Sequence, residues 1–208
     1  MSTPPITLYS NPASPFGRKV AVMLHETGQF AQVQIQACLL TPVNPVAELN
    51  QENPAGKIPA LRLADGSVVH DSRVILDYLD HQHSGTPLIP RDGPARWRRL
   101  TLASLADALM DAAVLIRYET ALRPEAKHWD VWLGNQAEKI HRSLAYFEAV
   151  AGELAEGFDV AGIGAACALG YLDFRQPQLE WRAEFPALAA WYAQVSQRAS
   201  MQLTRPPA

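Results

Sequence analysis

Short apolar runs and amphipathic stretches alternate along roughly the first 80 residues, and this pattern predicts a small α/β unit. Residues 6–9 form an apolar run that ends at Ser10-Asn11-Pro12, which indicates a strand followed by a loop. Ser14-Pro15 is typical of a helix start, because a capping hydroxyl precedes a proline whose missing N–H is not needed at the first helical position. The pattern continues in the order β-α-β-α-β-β-α, with a helix ending before Gly28, a strand at 33–37, a loop or short helix at 42–50, a hairpin of 58–63 and 67–70, and a helix capped by Ser72.

Beyond residue 83 the strand pattern disappears, and the chain predicts only helices. Residues 83–94 are rich in Gly, Pro and Ser, which is typical of a domain boundary. We therefore expect an α/β domain at 1–83, a linker at 84–94 and an all-helical domain at 95–208. The predicted helices span 95–122, 125–155, 160–174 and 186–199. The apolar and glycine run at 160–172 is shorter than the roughly 18 residues of a membrane span, so it predicts a buried core helix.

Composition limits the classes of function. Hydrophobic residues make up 48% and charged residues 19% of the chain, which is typical of a folded globular protein. A formal net charge of −3, without a basic half, disfavours nucleic acid and anionic membranes as partners. The N-terminus has no cationic and apolar leader pattern, so the expected location is the cytoplasm. The two cysteines, Cys38 and Cys167, and the histidines have no spacing typical of zinc, so no metal site is expected.

Two motifs ten residues apart carry the most information. The first is Asn53-Pro54-Ala55-Gly56-Lys57-Ile58-Pro59-Ala60-Leu61, and the second is His70-Asp71-Ser72. Together they resemble the glutathione S-transferases, whose thioredoxin-like N-terminal domain has a similar strand entry and an acidic residue and serine at the next helix. The resemblance implies a thioredoxin-like domain followed by an all-helical domain, and it implies glutathione as a co-substrate.

The residues of these motifs are suited to an extended peptide ligand. The resemblance implies a cis bond before Pro59, which would turn the N–H and C=O of Ile58 outward to bond a peptide as a strand does. A helix N-terminus at Ser72 favours a carboxylate, and Asp71 is placed for an ammonium group. Lys57 could reach the glycyl carboxylate of glutathione. The structural alternatives are an edge-strand proline, an ordinary helix cap and a solvated lysine.

A hydroxyl at the first helix is the candidate for stabilising the glutathione thiolate. Ser14-Pro15-Phe16, followed by Arg18-Lys19-Val20, is similar to serine-type members of the family, including tau-class and small bacterial enzymes. We expect Ser14 to donate to the sulfur, with Ser10 and Tyr9 as competing hydroxyls and a purely capping Ser14 as the alternative. A cysteine at this position would indicate disulfide-exchanging relatives. Its absence favours attack on a carbon electrophile, or peroxide reduction, over thiol transfer.

The helical domain is expected to supply a pocket for a small hydrophobic electrophile, and the resemblance also implies a two-fold homodimer. The candidate pocket residues are Met110, Ala113, Val114, Arg117, Tyr118 and Phe174, although an apolar helix face is more often core than pocket. Two other functions remain open from the sequence. One is a non-catalytic module of the same fold that binds proteins, and the other is a glutathione-dependent disulfide reductase.

Overall fold

The structure is a computed structural model that describes residues 5–207. Its contacts divide the chain into two units. An α/β unit runs to Pro87 and includes the segment from Leu203, whereas Leu88–Gln202 form a helical unit. The sequence pattern assigns the C-terminal segment to the helical domain, but Thr204 Oγ1 accepts a hydrogen bond from Arg18 Nε at 3.4 Å, within the α/β unit. Among residues 5–207, no helix combines the length and the apolar character needed to cross a membrane.

The α/β unit contains a mixed four-stranded sheet within the described residues. Its elements are β1 (Ile6–Ser10), α1 (Pro15–Glu26), β2 (Val33–Ala37), α2 (Ala47–Glu52), β3 (Ala60–Arg62), β4 (Val68–Val69) and α3 (Ser72–Asp80). The strand order is β2-β1-β3-β4, with β1 parallel to β2 and antiparallel to β3, and β3 antiparallel to β4. The predicted element order is therefore confirmed.

Apolar residues one helical turn apart hold α1 and α3 against each other. Val20 and Leu24 of α1, and Ile75 and Leu79 of α3, are at most 3% exposed. Leu8 of the central strand β1 is fully buried as well. Because this core fixes the two helices, it also fixes where their N-termini lie, and both N-termini carry candidate site residues.

Some boundaries in the α/β unit differ from the prediction by one or more residues. The strand predicted at 58–63 is limited to Ala60–Arg62, because Pro59 has no N–H to donate to a sheet ladder. Residues 42–50, predicted as a loop or a short helix, contain the start of a helix that spans Ala47–Glu52. The prediction that Ser72 caps α3 is wrong: Asp71 is the N-cap and Ser72 is the first helical residue. An Asp carboxylate accepts an N–H of the first turn as well as a serine hydroxyl does.

The helical unit is built around a long helix that packs against two others. Its helices are α4 (Gly93–Leu122), α5 (Asp130–Ala149), α6 (Ala151–Leu154), α7 (Val160–Arg175), α8 (Trp181–Glu184) and α9 (Pro186–Val195), and α10 (Ala199–Leu203) leads back to the α/β unit. Helix α4 packs along α5 and α7. Gly164 allows α7 to approach α4 closely, since a Cβ at this position would lie 3.1 Å from Ala106 Cβ.

Residues 160–172 of α7 are all buried, which confirms the predicted core helix. The helix predicted over 125–155 is instead divided into a 3-10 turn at Glu125–Lys127, α5 and α6. The backbone leaves helical geometry at Trp129, with φ −109° and ψ 92°, and again at Val150, with φ −112° and ψ 17°. The apolar pattern alone does not indicate these two interruptions.

Candidate functional site

The start of α1 presents a serine hydroxyl at the end of a hydrogen-bonded loop. Ser14 is the N-cap, and its Oγ accepts the N–H of Gly17 at 3.2 Å, while Pro15 is the first helical residue. This confirms the predicted cap. Asn11 fixes the preceding loop, because its Oδ1 accepts the Ala13 N–H at 2.9 Å and its C=O accepts the Ser14 N–H at 2.8 Å. A serine oxygen that accepts a backbone N–H still has its hydroxyl hydrogen to donate.

The two competing hydroxyls have other surroundings. Tyr9 Oη donates to Glu52 Oε1 at 3.3 Å, and burial, followed by the nearby Glu52 carboxylate, raises the pKa of the Tyr9 phenol. Ser10 is only 7% exposed, and its Oγ occupies the space that a Cβ on Gly17 would need. Ser14 is half-buried at the helix end. Of the three hydroxyls, Ser14 alone caps α1, and unlike Ser10 it is not buried, whereas the Tyr9 hydroxyl is already bonded to Glu52.

The loop before β3 is held by a buried asparagine. Asn53 is 2% exposed, its Nδ2 donates to the Lys57 C=O at 2.8 Å, and its Oδ1 accepts the Ala55 N–H at 3.0 Å. Gly56 completes the turn with φ +60°, a conformation that other residues rarely adopt. Sequence reasoning included Asn53 in the motif but missed its role. The signal was present, since an asparagine side chain before proline commonly bonds the backbone two residues later.

The backbone at Ile58 is open to a ligand. The Ile58–Pro59 peptide bond is cis, Pro59 is buried and Ile58 is half-buried. Within residues 5–207, neither the N–H nor the C=O of Ile58 takes a backbone hydrogen bond. An unpaired donor and acceptor on one residue are what an extended peptide needs to add as a further strand.

The start of α3 combines an exposed carboxylate with helical N–H groups. Asp71 Oδ1 accepts the Arg73 N–H at 2.9 Å, and Asp71 Oδ2 lies 3.9 Å from Arg73 Nε. The Asp71 side chain is 61% exposed, so its oxygens retain capacity for a further donor. Ser72 is 3% exposed. The positive end of the helix dipole at this position favours an anionic ligand group.

Sheet register brings these segments to one end of the sheet. β3 and β4 are antiparallel, so Pro59, just before β3 begins, and Asp71, just after β4 ends, lie at the same end of the sheet. β1 and β3 are antiparallel as well, so the loop after β1, which leads to Ser14, and Ile58, which precedes β3, lie at that end too. The lysine of the motif, Lys57, is exposed at the same end. The topology therefore gathers the hydroxyl, the open backbone and the carboxylate, although they are far apart in sequence.

The candidate pocket residues of the helical unit differ in exposure. Met110 and Ala113 are fully buried, so they can only support a pocket from behind. Val114 and Tyr118 are half-buried, and Arg117 is exposed. Burial raises the pKa of the Tyr118 phenol and, more strongly, raises that of Tyr171 on α7 to about 12.

Both cysteines are buried. Cys38 is 4% exposed and Cys167 is not exposed at all. Burial, with a smaller contribution from Glu48, raises the pKa of the Cys38 thiol. A buried thiol with a raised pKa is poorly suited to nucleophilic exchange at neutral pH.

Comparison with known protein families matches both parts of the chain. A sequence model of the glutathione S-transferase N-terminal domain matches residues 8–87, and one of the glutathione S-transferase C-terminal domain matches residues 123–194. The chain is 34% identical to the uncharacterized GST-like protein YibF of Escherichia coli K12, over 93% of this chain and 95% of that protein.

Solved structures of similar proteins contain glutathione or a derivative. A glutathione transferase family member from Pseudomonas fluorescens Pf-5 with bound glutathione is 65% identical, with a TM-score of 0.97 over 98% of this chain and 100% of that one. A second structure from the same organism, with bound S-(propanoic acid)-glutathione, is 63% identical, with a TM-score of 0.92 over 97% of this chain and 100% of the other.

Proposed function

This chain belongs to the glutathione S-transferase family, and from that premise we propose that it binds glutathione and stabilises its thiolate for attack on a small hydrophobic electrophile. The observation that carries the proposal is the unpaired backbone of Ile58, which sheet register brings to the same end as the Ser14 loop and Asp71. Glutathione is a peptide with two carboxylates, one ammonium group and one thiol. The protein residues gathered at this end of the sheet offer a partner for each of these groups.

Each part of glutathione is assigned to one partner. The N–H and C=O of Ile58, beside Pro59, bond the cysteinyl backbone of glutathione. The Asp71 carboxylate binds the γ-glutamyl ammonium, and the backbone N–H groups at Ser72 bind the neighbouring carboxylate. Lys57 pairs with the glycyl carboxylate, a weak contribution because the lysine is exposed. Asn53 is a positioning residue, since its side chain holds the backbone before Ile58.

The Ser14 hydroxyl donates to the sulfur and favours the thiolate. A thiol with a pKa near 8.5 needs a shift of about 1.5 units, or about 2 kcal/mol, to be half ionised at neutral pH. A hydrogen bond to a charged group contributes about 1.5–3 kcal/mol, and the dipole of α1 adds about 0.3–1 kcal/mol. These two effects are sufficient, so no general base is required.

In the proposed reaction, a sulfur lone pair forms a carbon–sulfur bond to the electrophile. The displaced electron pair leaves with a leaving group or, in an addition to a conjugated alkene, ends on a carbon that takes up a proton. The similar protein that holds S-(propanoic acid)-glutathione supports this reaction type, because that ligand carries a carbon substituent on sulfur. The burial of both cysteines favours conjugation, or peroxide reduction by bound glutathione, over disulfide exchange.

The remaining parts of the proposal come from the family. Val114, Arg117 and Tyr118 of the helical unit would contact the electrophile, with Met110 behind them. We further propose a two-fold homodimer that acts in the cytoplasm and carries out detoxification. Cross-linking, sedimentation and activity measurements on a panel of electrophiles would test these points.

Two measurements on three proteins test the central proposal. Calorimetry gives the affinity for glutathione, and ultraviolet absorbance of the thiolate against pH gives the pKa of the bound thiol. We expect Ser14→Ala to raise that pKa by about one to two units and to lower conjugation at neutral pH by about 10- to 100-fold, with little change in affinity. The matched control, Ser10→Ala, should leave the pKa unchanged.

Two outcomes would contradict the proposal. The absence of binding heat at millimolar glutathione would show that the chain does not use this peptide. A raised thiol pKa in Ser10→Ala, but not in Ser14→Ala, would move the thiolate contact to the other serine.

A further inference from the structure

Four side chains near the C-terminal ends of α4 and α7 form a cluster of hydrogen-bond donors. Tyr171 and Arg175 lie one helical turn apart on α7, so they share one face of that helix. Arg117 and Tyr118 lie on α4, which packs along α7. A phenol hydroxyl can donate and a guanidinium can only donate, so the cluster is suited to a ligand that accepts hydrogen bonds. All four residues belong to the helical unit.

Arg175 is held in place by a ring and keeps its end open to a ligand. Its guanidinium lies over the Phe174 ring, 3.7 Å from the centroid, and the Tyr171 ring meets the same ring edge-on at 6.4 Å. The Nε of Arg175 is enclosed by protein, whereas its two terminal nitrogens are not, and the residue as a whole is half-buried. Stacking on an aromatic face orients a guanidinium and leaves its terminal N–H groups available to an anion.

No acidic side chain neutralises the two arginines of the cluster. Within residues 5–207, neither of them forms an ion pair, because the nearby carboxylates are used by other arginines. Glu119 pairs with Arg123 at 2.8 Å, and Asp173 pairs with Arg182 at 2.6 Å. The closest acidic residue before the cluster on α4 is Asp111, about 9 Å away from the α4 arginine along the helix axis. The cluster is therefore a local concentration of positive charge in a chain whose net charge is −3.

The two phenols lie within reach of these charges. Burial raises the pKa of the Tyr171 phenol to about 12, and the charges of Arg175 and Arg117 oppose this rise. Burial likewise raises the pKa of the Tyr118 phenol, and Arg175 opposes it. Both phenols therefore keep their protons at neutral pH and can donate them to an anion in hydrogen bonds.

We propose that this cluster binds a carboxylate on the electrophile, so that the protein prefers apolar electrophiles that carry one carboxylate over their neutral counterparts. This assignment rests on the proposed function, in which Arg117 and Tyr118 contact the electrophile. The terminal nitrogens of Arg175 and the Tyr171 hydroxyl donate to the carboxylate, and the exposed Arg117 adds attraction. The carboxylate takes no part in the bond changes at sulfur and carbon, and it stays on the product.

The first test measures binding without glutathione. The probes are 3-nitrobenzoate, which is ionised at neutral pH, and 3-nitrobenzamide, which has a similar shape and no charge. NMR titration of the full chain at fixed ionic strength gives both affinities. We expect 3-nitrobenzoate to bind about tenfold more tightly, or by about 1.4 kcal/mol, since a hydrogen bond to a charged group is worth at least that much.

Two variants separate the cluster from the net charge. Arg175→Gln should reduce the preference for 3-nitrobenzoate to about twofold or less, because it replaces the charged donor with a neutral one. The matched control is Arg123→Gln, which removes a positive charge near the same end of α4 from an arginine that is paired with Glu119. This control should keep the full preference.

The second test measures conjugation with 4-chloro-3-nitrobenzoate and 4-chloro-3-nitrobenzamide. The glutathione sulfur forms a bond to the ring carbon, and chloride leaves with the electron pair of the broken carbon–chlorine bond. Each kcat/KM is divided by the rate constant of the uncatalysed reaction, because the two rings differ in intrinsic reactivity. We expect a ratio of about ten in favour of the carboxylate in the wild type and in Arg123→Gln, and a smaller ratio in Arg117→Gln and Arg175→Gln.

The outcomes distinguish this site from the proposed function. If wild-type protein binds neither nitro probe, or binds both equally, the carboxylate site is wrong whether or not glutathione binds. If calorimetry shows no glutathione binding but 3-nitrobenzoate is preferred, the proposed function fails and the carboxylate site stands. Equal normalised kcat/KM values for the two chloro compounds would overturn the assignment of the carboxylate to the electrophile. A loss of preference in Arg123→Gln equal to that in Arg175→Gln would show that net charge, rather than the cluster, selects the anion. The wild-type comparisons decide the proposal even if a variant fails to fold.

Discussion

Helices α1 and α7 begin in the same way but use their N-caps differently. Ser14 accepts one N–H, that of Gly17, and is half-buried. Asp159 Oδ1 accepts two N–H groups, those of Ala161 at 2.9 Å and Gly162 at 3.2 Å. Both oxygens of Asp159 also bind the Arg99 guanidinium, through Nη2 at 2.7 Å to Oδ1 and through Nε to Oδ2.

The difference lies in the hydrogen-bonding capacity that each cap retains. The Ser14 hydroxyl hydrogen is free to serve a ligand, whereas the Asp159 carboxylate is fully used inside the helical unit. The two caps do not differ in burial, because Ser14 and Asp159 are both half-buried, so the contrast rests on their hydrogen bonds. A cap is therefore assigned to function or to structure by what else its side chain contacts, rather than by residue type.

The largest expected effect on stability comes from removing the Asp159 cap, whose two oxygens both take hydrogen bonds. Asp159→Ala should lower the free energy of unfolding by about 2–4 kcal/mol, because it removes a cap and leaves Arg99, which is 8% exposed, with only its weaker contacts to Glu153. Urea denaturation measures this change. Ser14→Ala, as the matched change on α1, should lower stability by only about 1 kcal/mol.

A double variant sharpens this comparison. Asp159→Ala combined with Arg99→Met removes the buried charge along with its partner, so part of the lost stability should return. Equal losses for Asp159→Ala and Ser14→Ala would contradict the distinction between a structural and a functional cap.

Much of this fold could be predicted because local patterns agree with it. Ser14-Pro15 and the apolar spacing that follows indicate α1, and residues 33–37 alternate as the strand that forms. Asp159, directly before the buried run at 160–172, is the N-cap of α7 in the structure. The Arg99 partner was not predictable, because it lies 60 residues away and depends on how α4 packs against α7.

The candidate site was predictable as a set of residues but not as a geometry. The motifs indicated Pro59, Asp71 and Ser72, yet which of the last two caps α3 depends on a one-residue difference in helix start. The sequence motif favoured Ser14 over Ser10 and Tyr9, but it did not show the contacts that separate the three hydroxyls. Their ranking depends on contacts between elements, such as the bond from Tyr9 to Glu52 on α2.

Alkaline pH should lower the stability of the fold through Tyr171, which is buried on α7. Burial raises the pKa of this phenol to about 12, above the value of 10.0 for an exposed tyrosine. The unfolded chain therefore loses the proton first, so the stabilisation is complete below about pH 10 and is lost as the pH rises toward about 12. This loss amounts to about 2–3 kcal/mol by linkage.

Urea denaturation of wild-type protein and Tyr171→Phe across this pH range isolates the contribution of Tyr171, since the other tyrosines are common to both proteins. Stability should fall more steeply with pH in the wild type than in the variant. Parallel curves would show that Tyr171 is already as accessible to solvent in the folded protein as in the unfolded chain.

The smallest expected effect separates the hydroxyls around α1. Tyr9→Phe removes the bond to Glu52, which also pairs with Arg62 at 3.3 Å and so keeps a cationic partner. Stability should fall by no more than about 1 kcal/mol, and the pKa of the bound glutathione thiol should stay within about 0.3 units of wild type, because the Tyr9 proton is directed at a carboxylate. Urea denaturation measures the stability, and the same thiolate absorbance titration measures the pKa of the bound thiol. If Tyr9→Phe raised the pKa of the bound thiol as much as Ser14→Ala does, the Tyr9 phenol would be the group that donates to the sulfur. The Ser14 hydroxyl would then have no ligand to serve, and the distinction drawn between the caps of α1 and α7 would be wrong.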